Sequence, residues 1–283
     1  MNDVFVHGGV SGLEKELPSL ADSVKGALDS PTALDAVEAA VVALEDNPVL
    51  NAGYGSVLTI DGTVELDAGF ADGATGNCGA VANVTVAHPV QLARRVMEQT
   101  PHVLLAGPGA MGIGADLPVL ADTTPEQRRR WETAKQAGTL APSRYGAPEH
   151  VDTVGAIALD ADGLLAAASS TGGVFGKLPG RVGDAPIFGA GLYASETVAV
   201  VGTGVGELFL ETLACLRVAL LVEDEGAHPQ DACERVIQWV GRRRSVSAGL
   251  LALDRSGRVG AAFRGGSLAI EGPQGPVEAV RLD

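Results

Sequence analysis

Three times along this chain a turn dipeptide separates two short apolar runs, and that pattern restricts the fold more than any other feature. Asp61-Gly62 lies between 57–60 and 63–66, Asp162-Gly163 between 154–159 and 164–168, and Ser256-Gly257 between 250–253 and 259–263. Such spacing predicts β-hairpins, because glycine supplies the positive φ that a tight turn needs. Further strands are expected at 4–7, 80–86 and 197–201, with strand-forming sequence throughout 153–169 and 247–270. A helix is expected to open at Ser30-Pro31, with serine as N-cap and proline first inside. Leu34, Val37, Val41 and Leu44 then form a helical stripe. Other helices are expected near 89–100, 124–137, 205–223 and 229–242. Hairpins rather than βαβ repeats predict antiparallel sheets with helices packed outside them. No internal repeat is visible.

The 283 residues are 46% hydrophobic and 19% charged, enough for one large domain or two small ones. The net charge of −15 makes nucleic acid and anionic membrane surfaces poor partners. The opening Met1-Asn2-Asp3-Val4-Phe5-Val6-His7-Gly8-Gly9 has neither a basic region nor the apolar core of a signal peptide. No stretch is long and apolar enough to cross a bilayer, so a cytoplasmic location is expected. Cys78, Cys215 and Cys233 are scattered and suggest neither a disulfide framework nor a zinc site. His7, His88, His102, His150 and His228 lack ligand spacing and read mostly as structural.

A polar segment bearing proline and glycine, 136–152, precedes Thr153, the first residue of an apolar strand. It reads as a domain linker or a surface loop. It also reads as a tail released by a cut between Asp152 and Thr153. The cut would give Thr153 a free α-amine beside its hydroxyl, a nucleophile carrying its own base. An α-amine titrates at about 7.7–8, so part of it is neutral at physiological pH. Threonine is also an ordinary strand residue, so Thr153 alone admits a purely structural role.

Four glycine-bearing segments accompany it: Asn51-Ala52-Gly53-Tyr54-Gly55-Ser56, Ser170-Thr171-Gly172-Gly173, Gly180-Arg181-Val182-Gly183-Asp184 and Val201-Gly202-Thr203-Gly204-Val205-Gly206-Glu207. Each reads first as a turn, and Arg181 with Asp184 as a local ion pair. The run Gly202–Gly206, between a strand and a helix, also admits a pyrophosphate-binding reading for a non-catalytic nucleotide-binding protein. That reading fits poorly, because the helix after the run is followed by another helix rather than by a second strand.

Taken in order, these segments resemble the plant-type asparaginase and isoaspartyl peptidase family of N-terminal nucleophile hydrolases. His7-Gly8-Gly9, Glu65-Leu66-Asp67-Ala68, Asp72-Gly73, Gly79-Ala80-Val81-Ala82 and Asp152-Thr153-Val154-Gly155-Ala156 add to the likeness, which runs from residue 4 to about 263. The resemblance implies an α+β fold, an αββα four-layer sandwich, as one domain over 1–283. It implies self-cleavage at Asp152-Thr153 into an α subunit (1–152, with its tail from about 136) and a β subunit (153–283). Two αβ units are expected to pair.

By the same resemblance Thr153 is the nucleophile and Thr171 tunes its hydroxyl. Asn51 and Thr203 are donors to the oxyanion. Arg181 clamps the substrate α-carboxylate, and Asp184 with the carbonyl of Gly204 takes the α-ammonium. The implied substrates are L-asparagine and β-aspartyl dipeptides, cleaved through an aspartyl ester of Thr153. No cofactor is required. A structural sodium ion is implied on the backbone carbonyls of Leu44, Glu45, Asn47, Leu50, Ala52 and Tyr54.

The chain departs from the family pattern at Val205, where many relatives carry His, and at Ala185, where Ser or Thr is common. It also departs at Phe263-Arg264-Gly265-Gly266, which lacks an Asn-Thr pair, and in having Asp rather than Gly before Thr153. The first three departures bear on substrate preference, while Asp before the threonine occurs in glycosylasparaginases and taspases. A glycosylasparaginase-like reading is disfavoured because Val10, not Trp, follows Gly8-Gly9. A taspase-like endopeptidase is disfavoured because Arg181 and Asp184 suit a free amino-acid end.

Overall fold

The computed structural model describes residues 2–10, 17–142 and 153–283. It is a mixed α/β protein in which two sheets face one another. The larger sheet is built from β1 (Asp3–His7), β2 (Leu66–Asp72), β3 (Cys78–Val84), β4 (Leu104–Ala106), β5 (Val154–Leu159), β6 (Leu165–Thr171), β11 (Ile270–Gly272) and β12 (Gly275–Pro276). Its order is β12-β11-β1-β5-β6-β2-β3-β4. The smaller sheet takes β7 (Leu192–Ala194), β8 (Val198–Gly204), β9 (Ala248–Asp254), β10 (Val259–Arg264) and β13 (Val280–Arg281), in the order β13-β10-β9-β8-β7. Pairing is antiparallel throughout except for β3 with β4 and β10 with β13.

Side-chain alternation sorts the apolar residues into three clusters. Val154, Ala156 and Ala158 of β5 pack with α1 (Leu17–Ala27), α2 (Ala33–Glu45) and α3 (Pro89–Gln99), while Ile157 faces the smaller sheet. In the smaller sheet Val198 and Val200 of β8 and Leu250 and Ala252 of β9 pack against α7 (Ala214–Glu225) and α8 (Pro229–Arg243). Ala199 and Val201 of β8, and Leu251 and Leu253 of β9, meet Ile157, Leu165 and Ala167 between the sheets. α4 (Gly107–Ile113), α5 (Pro125–Gln136) and α6 (Gly206–Thr212) complete the helices.

Two of the three expected hairpins form. Gly163 (φ +77°) turns β5 into β6, and Gly257 (φ +78°) turns β9 into β10. The first does not. Thr59 and Thr63 close a turn around Asp61-Gly62, but the flanks are not strands, and β2 starts only at Leu66. The indole of Trp131 on α5 donates to the Thr59 carbonyl, so this turn docks on a helix instead of extending a ladder. The N-cap expected at Ser30 lies at Thr32, whose hydroxyl accepts from the Asp35 amide at 3.1 Å, and the helix starts at Ala33. The helix expected over 205–223 is two helices, α6 and α7, separated by Leu213 in the left-handed region (φ +50°). α1 and α4 were not expected from the sequence.

The sheets approach closely at small residues. A β-carbon on Gly69 of β2 would lie 2.5 Å from the Ala185 carbonyl oxygen and 2.7 Å from Leu192 of β7. Gly69→Ala should therefore lower stability by about 2–3 kcal/mol through overpacking. The denaturant midpoint measures this, and a shift within error would show that the sheets separate easily.

Candidate active site

The alternation that sorts the core also gathers the polar candidates. Odd-numbered positions of β5, β6 and β8 face the space between the sheets, as Ile157, Leu165, Ala167, Ala199 and Val201 demonstrate. Thr153 immediately precedes β5, Thr171 ends β6, and Thr203 is the penultimate residue of β8. All three continue those inward-facing rows, and all three are buried. Val154 pairs with Ser170, so extending the register by one residue sets Thr153 opposite Thr171. A β-carbon on Gly155 would lie 3.1 Å from Val201 Cβ, which brings the start of β5 beside the middle of β8, two residues before Thr203.

Asn51 fixes the turn that follows β6. Its Nδ2 donates to the Gly173 carbonyl (2.7 Å), its Oδ1 accepts from the Val57 amide (2.9 Å), and its own carbonyl accepts from the Gly172 amide (2.8 Å). The Thr171 hydroxyl accepts from the Gly173 amide at 2.9 Å. One N–H of the Asn51 amide is thus committed, and the group has a second. The Thr203 hydroxyl is buried and has no hydrogen-bond partner among the described residues. Gly204 (φ +134°) leaves no room for a side chain, since a β-carbon would sit 2.5 Å from the Ser247 carbonyl oxygen.

The cation and anion expected three residues apart do lie together, but they do not pair with one another. Arg181 makes a two-point ion pair with Glu207 of α6, Nε to Oε1 at 3.0 Å and Nη2 to Oε2 at 2.8 Å. Asp184 is buried with Oδ2 unpartnered, and burial pushes its pKa up to about 7 against the pull of Arg181. The two groups flank Gly206, where a β-carbon would lie 2.7 Å from Asp184 Oδ1 and 2.8 Å from Arg181 Nη2. Glu207 carried no expectation although it closes the glycine segment quoted above. Its role depends on where α6 lies relative to the loop bearing Arg181, which no local pattern encodes.

Two more polar groups belong here. Asp67 of β2 is buried opposite Thr171, its carboxylate accepting from the Gly183 and Asn83 amides, each at 2.9 Å. His7 ends β1, and burial lowers its pKa to about 4, opposed by a backbone interaction at Thr153. It is a neutral imidazole packed on Gly155.

The glycines of β8 do not form a phosphate cradle. A β-carbon on Gly202 would strike the Phe209 ring at 2.5 Å and approach Cys215 at 3.2 Å, so these glycines serve packing. Asp152, the other side of the expected cut, and 143–152 of the expected tail lie outside the described residues.

The asparaginase family model matches residues 5–272. The chain belongs to the asparaginase family. It is 43% identical to the isoaspartyl peptidase of Salmonella typhimurium, over 92% of this chain and 91% of that one. It is 40% identical to the plant-type L-asparaginase of Pyrococcus abyssi, over 91% of each. The isoaspartyl peptidase/L-asparaginase of Rattus norvegicus is 38% identical over 90% of this chain and 80% of its own length. Among the described residues no helix is long and apolar enough to cross a membrane.

The buried carboxyl of Asp184 makes a pH-dependent prediction. Its folded pKa is raised from 3.8 to about 7, so it favours the folded state below the unfolded value, and that contribution is lost as pH rises through about 7. The full span is on the order of 4 kcal/mol. Asp184→Asn should therefore gain melting temperature relative to the parent as pH is raised from 4 to 8. A difference independent of pH would mean that Asp184 does not titrate in this range.

Proposed function

We propose that this protein is a self-processing amidohydrolase that cleaves L-asparagine and β-aspartyl peptides and releases L-aspartate. The observation that carries the reading is the placement of three buried threonines, Thr153, Thr171 and Thr203, on rows facing the space between the sheets, near a cation and a buried carboxyl whose Oδ2 has no partner among the described residues. A substrate with a free α-carboxylate and α-ammonium needs one fixed charge of each sign. Arg181 and Asp184 supply them on either side of Gly206, with the Gly204 carbonyl beside the ammonium. The names of the relatives agree with that substrate class.

In this reading the chain is cut between Asp152 and Thr153, giving subunits 1–152 and 153–283. The Thr153 α-amine takes the proton of its own hydroxyl, and the oxygen attacks the side-chain carbonyl of the substrate. Thr171 orients that hydroxyl. Charge on the attacked oxygen falls to the Asn51 side-chain amide and to Thr203, whose hydroxyl has no partner among the described residues. The nitrogen leaves with the proton held by the amine, and water then hydrolyses the aspartyl ester.

The fold in this reading is the four-layer αββα sandwich of N-terminal nucleophile hydrolases, and the three apolar clusters suit it. Two αβ units would pair, in the cytoplasm. No catalytic cofactor is needed. A structural sodium ion would be held by backbone carbonyls of the loop from Leu44 to Tyr54, where those of Asn47, Pro48 and Leu50 crowd Gly55 and that of Glu45 crowds Gly53. The remaining proposed carbonyls, of Leu44, Ala52 and Tyr54, lie on the same loop. The buried Glu45 carboxyl has its pKa pushed well up, so the cation would rest on carbonyls rather than on this side chain.

Thr153→Ala should abolish both the cut and the release of aspartate, read by intact mass and a coupled aspartate assay. A cleaved and active Thr153→Ala protein would sink the mechanism. Arg181→Lys should leave the cut intact and raise KM for L-asparagine by about 10–100-fold, because a point charge replaces a two-point fork. An unchanged KM would remove Arg181 from the clamp.

A further inference from the structure

Lys177 is a buried ammonium that the reaction above does not use. Its side chain runs beneath the turn after β6, is 3% exposed, and donates from Nζ to the Glu65 carbonyl at 2.6 Å. A β-carbon on Gly173 would lie 3.0 Å from Lys177 Nζ and 3.2 Å from Arg181 Nη1, so the two cations flank one glycine. That glycine is also held by Asn51 and Thr171. Burying lysine is unfavourable unless the charge is answered, and a neutral side chain of similar length would fill the space without that penalty. Burial draws its pKa down, Asp67 and Glu65 draw it up, and Arg181 opposes them.

Three carboxylates, Glu207, Asp67 and Glu65, answer the two cations. Glu207 already occupies the Nε and Nη2 edge of Arg181, and Asp67 lies on the other side of the same loop. An arginine paired in this way attracts a second carboxylate weakly. Lys177 beside Nη1 places a second cation at the edge of Arg181 that Glu207 leaves open.

We propose that Lys177 is a specificity-determining residue, a second cation that sets the preference of this site for substrates bearing a free α-carboxylate. It acts through the field at Arg181 and need not touch the substrate. The inference rests on the asparaginase reading above.

The test compares L-asparagine with L-asparaginamide, which presents an α-amide in place of the α-carboxylate. Lys177→Met should lower kcat/KM for L-asparagine about tenfold, chiefly through KM, while that for the diamide changes less than about twofold. Lys177→Gln can still donate to the Glu65 carbonyl and should behave like the Met variant, because it is the charge that matters. Lys177→Arg should restore the preference. The presence of both subunits by mass, and an unchanged kcat, confirm that each variant is folded.

An equal loss on both substrates, or a Gln variant that behaves like the parent, would overturn the proposal and leave Lys177 as a brace for the turn. Absence of turnover by the parent protein on either substrate would instead remove the asparaginase reading itself.

Discussion

Asn51 ties two distant stretches of chain together, and most of the site hangs on that tie. Its amide and its carbonyl together make three hydrogen bonds, two of them to the glycines after β6. Those bonds fix where β6 ends, and therefore where the Thr171 hydroxyl points. They also set the start of the loop that carries Lys177, Arg181 and Asp184. Gly172 can accept this arrangement only because it lacks a side chain, since a β-carbon there would lie 2.5 Å from Asn51 Oδ1. A polar residue buried at a junction of this kind determines geometry more than it adds stability.

The charges of the site are held in an unrelaxed state. Asp184 has its pKa raised and His7 has its pKa lowered, in both cases by burial first. Acidification therefore favours folding through one group and opposes it through the other. Arg181 is occupied by Glu207 while Asp184 lacks a partner on Oδ2. In the proposed reading an incoming α-ammonium would give Asp184 the partner it lacks, while an α-carboxylate would share Arg181 with Glu207.

Much of this was legible in the chain, and for identifiable reasons. The Asp-Gly and Ser-Gly turns announced the hairpins of β5 with β6 and β9 with β10 because turn chemistry is local. The same signal at Asp61-Gly62 misled, because Trp131, seventy residues on, decides what that turn packs against. Ser30-Pro31 looked like a cap, but the Thr32 hydroxyl reaches the Asp35 amide and takes the position. The break at Leu213 was invisible, since nothing in its neighbours calls for a left-handed residue. The candidate residues themselves came from motifs, and of these the fold sets Thr153, Thr171 and Thr203 on rows that face the space between its sheets. Glu207 and Asp67 stood in quoted segments without a role, and Lys177 was not singled out, because their partners lie far along the chain. Such pairings become readable only once the sheets are stacked.

The placement of Thr153 has a consequence for the life history of the molecule. β5 is an inner strand of the larger sheet, flanked by β1 from the first half of the chain and β6 from the second, while β2 from the first half closes on β6. A backbone cut before Thr153, as proposed, would leave two polypeptides interleaved strand by strand. They could not part without tearing the sheet. Assembly is easier while they are still one chain, because joining separate halves adds an association step that the intact precursor avoids. The mature protein would thus persist by the height of its unfolding barrier rather than by its capacity to refold. Once melted, it should not return.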